Sequence, residues 1–97
     1  MGKTFAVAQW HSFPGDVKAN LQQAAVLVAA AKGLGAEVVV IPETFTSGYY
    51  DTLKPIDVAQ PIPGPATDFL AELSAKHDIY IYGCMIESQA DKFYNCG

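Results

Sequence analysis

This 97-residue sequence predicts an α/β fold, a parallel sheet flanked by helices. Three observations carry that prediction. Strand-like and helix-like stretches alternate in the order β-α-β-α-β, with one more strand-like run at the end. Residues 37–41 (EVVVI) form a nearly unbroken β-branched run, the pattern of a strand buried on both faces. The stretch before that run carries its apolar residues at helical spacing. Alternation of this kind implies parallel strands joined by right-handed crossovers.

The elements follow in order. Residues 4–10 (TFAVAQW) are short, apolar and β-prone, and predict the first strand. Pro14-Gly15 marks a turn. Asp16 is placed to cap a helix running to about residue 32, with Val17, Leu21, Ala24, Ala25, Val28 and Ala31 along one stripe. Gly33-Leu34-Gly35 ends it, because glycine tolerates left-handed backbone. The second strand covers 37–41 and stops at Pro42. Residues 43–64 then form a long connection containing Phe45, Tyr49 and Tyr50, and a connection of that length predicts a packed, functional loop. Pro65 suits the first turn of a second helix over about 65–76, with Ala66, Phe69, Leu70 and Leu73 on one face. Residues 79–86 (IYIYGCMI) predict a third strand, and residues 92–96 (KFYNC) a fourth.

Composition narrows the function. The chain is one domain at most, and half of it (51%) is hydrophobic. Its ten acidic residues exceed its six cations, all lysine, for a net charge of −4. A mildly acidic chain without arginine is a poor binder of nucleic acid or of an anionic membrane. No stretch is long and apolar enough to predict a transmembrane helix, and the N-terminus lacks a secretory apolar region. Cys84 and Cys96 make neither a disulfide framework nor a zinc pattern. A cytoplasmic setting is the expectation.

The residue best placed for chemistry is Glu43, immediately after the apolar strand, in Ile41-Pro42-Glu43-Thr44-Phe45. Ligands in open α/β sheets bind beyond the carboxyl ends of the strands. Apolar flanks predict partial burial, the setting that tunes a carboxyl for proton transfer. From position alone the alternative is a solvated or capping carboxylate.

Several stretches together resemble the N-terminal part of the nitrilase, or carbon–nitrogen hydrolase, superfamily. They are Val7-Ala8-Gln9, Gly15-Asp16 with Asn20-Leu21, the run from Gly35 to Glu43 with Phe45 and Gly48-Tyr49, Pro63-Gly64-Pro65, Ile81-Tyr82-Gly83 with Ile86-Glu87, and Phe93-Tyr94-Asn95. The resemblance implies a four-layer α-β-β-α sandwich, of which residues 1–97 would be a partial domain ending after the third or fourth strand. It implies hydrolysis of carbon–nitrogen bonds other than peptide bonds, in an amide, nitrile or N-carbamoyl substrate. It implies a Glu-Lys-Cys triad in which cysteine attacks, glutamate moves the proton and lysine stabilises developing charge. Glu43 matches the glutamate. From their place in the long loop, Phe45 and Tyr49 are candidates for lining a substrate pocket, the alternative being that they pack the loop down. The family lysine and cysteine fall outside these residues; Lys92 and Cys96 lie in the wrong context, and Cys84 reads as a small strand residue. The 97 residues alone are therefore expected to be inactive.

The resemblance further implies no metal or organic cofactor, and a homo-oligomer at full length. A half-built sandwich should expose one apolar sheet face. That expectation supports an alternative, a non-catalytic α/β fragment that pairs with a partner through the face. A nucleotide-binding domain fits poorly, because Gly33-Leu34-Gly35 follows a helix and residues 11–15 lack a phosphate cradle. His11 and His77 read as structural; Glu87, at the end of the third strand, reads first as structural too, with a place near the site as the alternative.

Overall fold

The computed structural model describes residues 3–48 and 54–97. The chain forms β1 (Phe5–Val7), α1 (Val17–Gly33), β2 (Val38–Val40), α2 (Pro55–Val58), α3 (Pro65–His77), β3 (Tyr80–Tyr82), β4 (Met85–Gln89) and β5 (Lys92–Cys96). Strands β1, β2 and β3 make a parallel sheet in that spatial order, and β4 and β5 make a separate antiparallel pair. The parallel ladder runs Phe5↔Val38↔Tyr80 through Val7↔Val40↔Tyr82. Backbone bonds extend it past the strand ends, from the Ala8 N–H to the Val40 carbonyl at 2.9 Å and from the Ile41 N–H to the Tyr82 carbonyl at 2.8 Å.

Helix α1 begins where the capping residue predicts. The Asp16 carboxylate accepts the Ala19 N–H at 3.0 Å, satisfying one of the helix's orphan donors. Gly35 takes φ +88° just beyond its end, the left-handed geometry that favours glycine. The stripe of α1 that faces inward carries Ala24, Val28 and Ala31, all buried, and also Asn20. Helix α3 packs against α1, and the core between helices and sheet contains Val28, Ala36, Val39, Ile41, Phe45, Ala66, Leu73, Ile79 and Met85.

The two sheet faces differ sharply. Ala6, Val39 and Ile81 point to the helices. On the other face Phe5, Val7, Tyr80 and Tyr82 stand 65%, 70%, 73% and 56% exposed, with Val38 and Val40 half-buried between them. All six are apolar or aromatic, and no described layer covers them. The burial expected on both faces of the second strand is therefore corrected to one face. The chain exposes 6188 Å², against about 5,400 Å² for a compact domain of this mass.

Two other expectations change. The third strand does not run unbroken over 79–86; it stops at Tyr82, and Gly83-Cys84 lead into β4, whose partner is β5. A Cβ at position 83 would lie 2.6 Å from the Ile41 side chain and 3.3 Å from the Phe45 ring. Glycine is what allows the chain to cross there, and Cys84 lies in this break rather than in a strand. The connection over 43–64 also carries structure of its own: α2, and a parallel bridge from Gln60 to Glu87 in β4.

Candidate active site

Glu43 sits just past the carboxyl end of β2, where the sequence places it. Its backbone is held from several directions. The Phe45 N–H donates to the Cys84 carbonyl at 3.1 Å, and the Gly48 N–H to the Thr44 carbonyl at 2.8 Å. The Ser12 hydroxyl donates to the Phe45 carbonyl at 3.3 Å. Thr44 takes φ +50°, a left-handed conformation that costs a β-branched residue on the order of 1–3 kcal/mol. Its hydroxyl donates to the Glu43 carbonyl at 2.7 Å. Such strain persists only where neighbouring contacts over-determine the turn.

Those contacts centre on Asn20, which is fully buried. Its Oδ1 accepts the Phe13 N–H at 2.7 Å, and its Nδ2 donates to the carbonyls of Phe13 at 2.9 Å and Thr46 at 2.8 Å. One amide from α1 thus ties the loop after β1 to the loop after β2. Thr44, Phe45, Thr46, Ser47 and Gly48 are all buried as a result.

The side chain of Glu43 points the other way. It is exposed rather than partly buried, because the residues after it turn into the core and no described element closes over it. Its Oε1 accepts the Asn95 Nδ2–H at 2.8 Å, a contact across 52 positions of sequence. Asn95 comes from β5, opposite Ile86 in the hairpin register. Neighbouring residues of a strand face opposite sides, so Lys92, Tyr94 and Cys96 lie on the face of β5 away from Asn95. Glu87, paired with Tyr94, lies on that far face too.

The remaining sequence candidates take these positions. Phe45 is 1% exposed and belongs to the core rather than to an open pocket. Tyr49 lies outside the described residues. His11 is exposed, and with Gln9, Trp10 and Pro42 it lines a hollow of about 400 Å³ beside the carboxyl ends of β1 and β2. A larger hollow, about 590 Å³, lies at the opposite end of the strands among Lys3, Lys32, Glu37 and Tyr80, away from Glu43. His77 ends α3, where a cation complements the helix dipole.

Both cysteines are free and half-buried. The Tyr82 hydroxyl is held above the ordinary phenol range, first by its hydrogen bond to Cys84, then by electrostatic repulsion from Cys84, by desolvation and last by repulsion from Cys96. Among the described residues no three His, Cys, Asp or Glu side chains converge to hold a metal ion, and no helix is long and apolar enough to cross a membrane. Sequence reasoning missed Asn20 and Asn95 as functional positions. A polar residue within the apolar stripe of α1 was a signal for the first; the second depends on a hairpin register that its local sequence does not reveal.

Chemically, this arrangement offers a solvent-exposed carboxylate on a fixed turn, with one oxygen engaged and the other without a partner among the described residues. A family model described as carbon-nitrogen hydrolase matches residues 4–97. The chain is 43% identical over 77 residues to mouse omega-amidase NIT2, covering 78% of this chain and 28% of that protein. It is 42% identical over 92 residues to the zebrafish omega-amidase NIT2, covering 93% and 32%. Among solved structures, yeast Nit3, described as a member of the nitrilase superfamily, superposes with TM-score 0.68 at 32% identity, over 92% of this chain and 36% of that one. A CN-hydrolase superfamily protein from Xanthomonas campestris superposes with TM-score 0.69 at 24% identity, over 96% and 32%, which speaks to fold alone. The chain spans about a third of the length of these relatives.

Proposed function

The chain belongs to the carbon–nitrogen hydrolase family, and from that premise we propose that it serves the hydrolysis of a non-peptide carbon–nitrogen bond with Glu43 as general base and acid. The observation that carries this reading is a carboxylate on a strained, over-determined turn beyond the end of β2, with one oxygen engaged and one free. The omega-amidase relatives favour an amide as substrate over a nitrile or N-carbamoyl compound. The triad lysine and cysteine would come from beyond residue 97.

In this mechanism the free oxygen of Glu43 takes the thiol proton as sulfur attacks the amide carbon. The glutamic acid then gives that proton to the departing amine, leaving an acyl thioester. A water molecule attacks the thioester as Glu43 takes its proton; the carbon–sulfur bond breaks, Glu43 returns the proton to the departing thiolate, and the carboxylic acid product leaves with carboxylate and thiol restored. A positioned base contributes about 10²–10⁴ in rate, well short of the 10⁶ or more that enzymes commonly supply. Residues 1–97 are accordingly inactive alone in this reading. The uncovered face of Phe5, Val7, Val38, Val40, Tyr80 and Tyr82 is where a second sheet would complete a four-layer sandwich. Phe45 is buried in the core, and Tyr49 is the loop aromatic proposed for substrate contact.

The test is Glu43→Gln in the full-length protein, assayed on ω-amides, nitriles and N-carbamoyl compounds. The variant keeps its fold and loses roughly 10²-fold or more in kcat; a variant of wild-type activity overturns the assignment. The same apolar face supports a second reading, a non-catalytic module that pairs with a partner chain through it. Amide turnover by the full-length protein excludes that reading.

A further inference from the structure

We infer that Asn95 is the positioning residue of the Glu43 carboxylate, a role that rests on the reading of Glu43 as the base. Several observations converge on it. The Asn95 Nδ2–H donates to Glu43 Oε1 at 2.8 Å. Glu43 lies in the turn after β2 and Asn95 in the separate β4–β5 pair, so the bond joins the parallel sheet's end to the hairpin. The hairpin is already fixed to the Glu43 turn on the backbone side, where the Cys84 carbonyl accepts the Phe45 N–H at 3.1 Å. Its register places Asn95 opposite Ile86, two residues beyond the anchoring Cys84 in sequence. Thr44, at φ +50°, sets the backbone of the turn, and Asn95 sets the side chain that leaves it.

The chemistry suits orientation. A solvent-exposed glutamate side chain has three torsions and spreads over many rotamers. One amide donor on Oε1 selects among them and leaves Oε2 open to a proton. An amide neither gives up nor takes a proton near neutral pH, so Asn95 orients the base without competing with it. A lysine here would hold the carboxylate by charge, whereas the amide holds it by direction. The residues flanking Asn95 in β5, Tyr94 and Cys96, face away, so the face of β5 that carries Asn95 holds only Phe93 besides, and no ionisable group.

The experiment compares Asn95→Leu, Asn95→Asp, Asn95→Gln and Glu43→Gln in the full-length hydrolase on its best ω-amide, with circular dichroism and melting as the check on folding. Asn95→Leu lowers kcat about 10- to 100-fold, the usual consequence of loosening a catalytic group's geometry, with KM within about twofold. Asn95→Asp has the same shape and size, yet it sets a second carboxylate against Glu43, so it falls further than Leu. Asn95→Gln keeps the donor on a longer arm and recovers part of the loss. A residue needed only for packing ranks the variants the other way, with isosteric Asp mildest, and that order overturns the inference. Inactive Glu43→Gln beside unimpaired Asn95 variants overturns the positioning role alone. A fully active Glu43→Gln overturns the base assignment and Asn95 with it.

Discussion

Replacing Asn20 by leucine should destabilise the fold by about 3 kcal/mol. The side chain is fully buried, and leucine is the nearest apolar match to its branched shape. The substitution removes the acceptor for the Phe13 N–H and the donors for the Phe13 and Thr46 carbonyls. The Thr46 carbonyl lies in a buried bond, and leaving it unpaired costs about 1–3 kcal/mol. The two Phe13 bonds are part-buried, so water recovers some of their loss, and each costs about 0.5–1.5 kcal/mol. The added methyl groups return about 1 kcal/mol of burial. For a domain of this size, with an unfolding entropy of about 0.2 kcal/mol/K, the net effect is a fall in Tm of about 15 °C. Calorimetry or urea denaturation measures it. Asn20→Asp should cost more, since it faces two carbonyl oxygens with a buried charge. A Tm shift below about 5 °C for the leucine variant refutes the idea that this amide closes the two loops.

Two further outcomes follow from the geometry. Gly83→Ala places a methyl group 2.6 Å from the Ile41 side chain; it should cost about 1–3 kcal/mol by overpacking and lower activity by shifting the Glu43 turn, and an unchanged melting curve contradicts the close crossing. Tyr82, raised by Cys84 first, should form phenolate above the usual range near 10 in an ultraviolet titration, and Cys84→Ala should bring it back down. Because its folded value is raised, the stability it contributes is full below the ordinary phenol value and is lost as pH climbs through the folded value.

Much of the fold was legible because its signals are local. Asp16 capped the helix it was expected to cap, and the β-branched run became the central strand of the parallel sheet. The Lys92-to-Cys96 run became a strand as well. The break of the third strand at Gly83-Cys84 was hidden inside a continuous β-prone run, since only the approach of Ile41 and Phe45 reveals why glycine stands there. The hairpin was hidden for a related reason: its turn uses Ala90 at φ +55°, where a sequence signal would have been Asn-Gly or Asp-Gly.

The alternation of elements, the membership of the carbon–nitrogen hydrolase family and the position of Glu43 beyond a strand end are all written in the order of the residues. These depend on periodicity, capping and motif order, which neighbouring residues carry among themselves. Tertiary structure alone decided the rest. It put Asn20 under two loops, set Asn95 against Glu43 across 52 positions, buried Phe45 in the core and left Phe5, Val7, Tyr80 and Tyr82 bare. Hydrogen bonds between residues remote in the chain depend on register and packing, and no local pattern encodes which amide will meet which carboxylate.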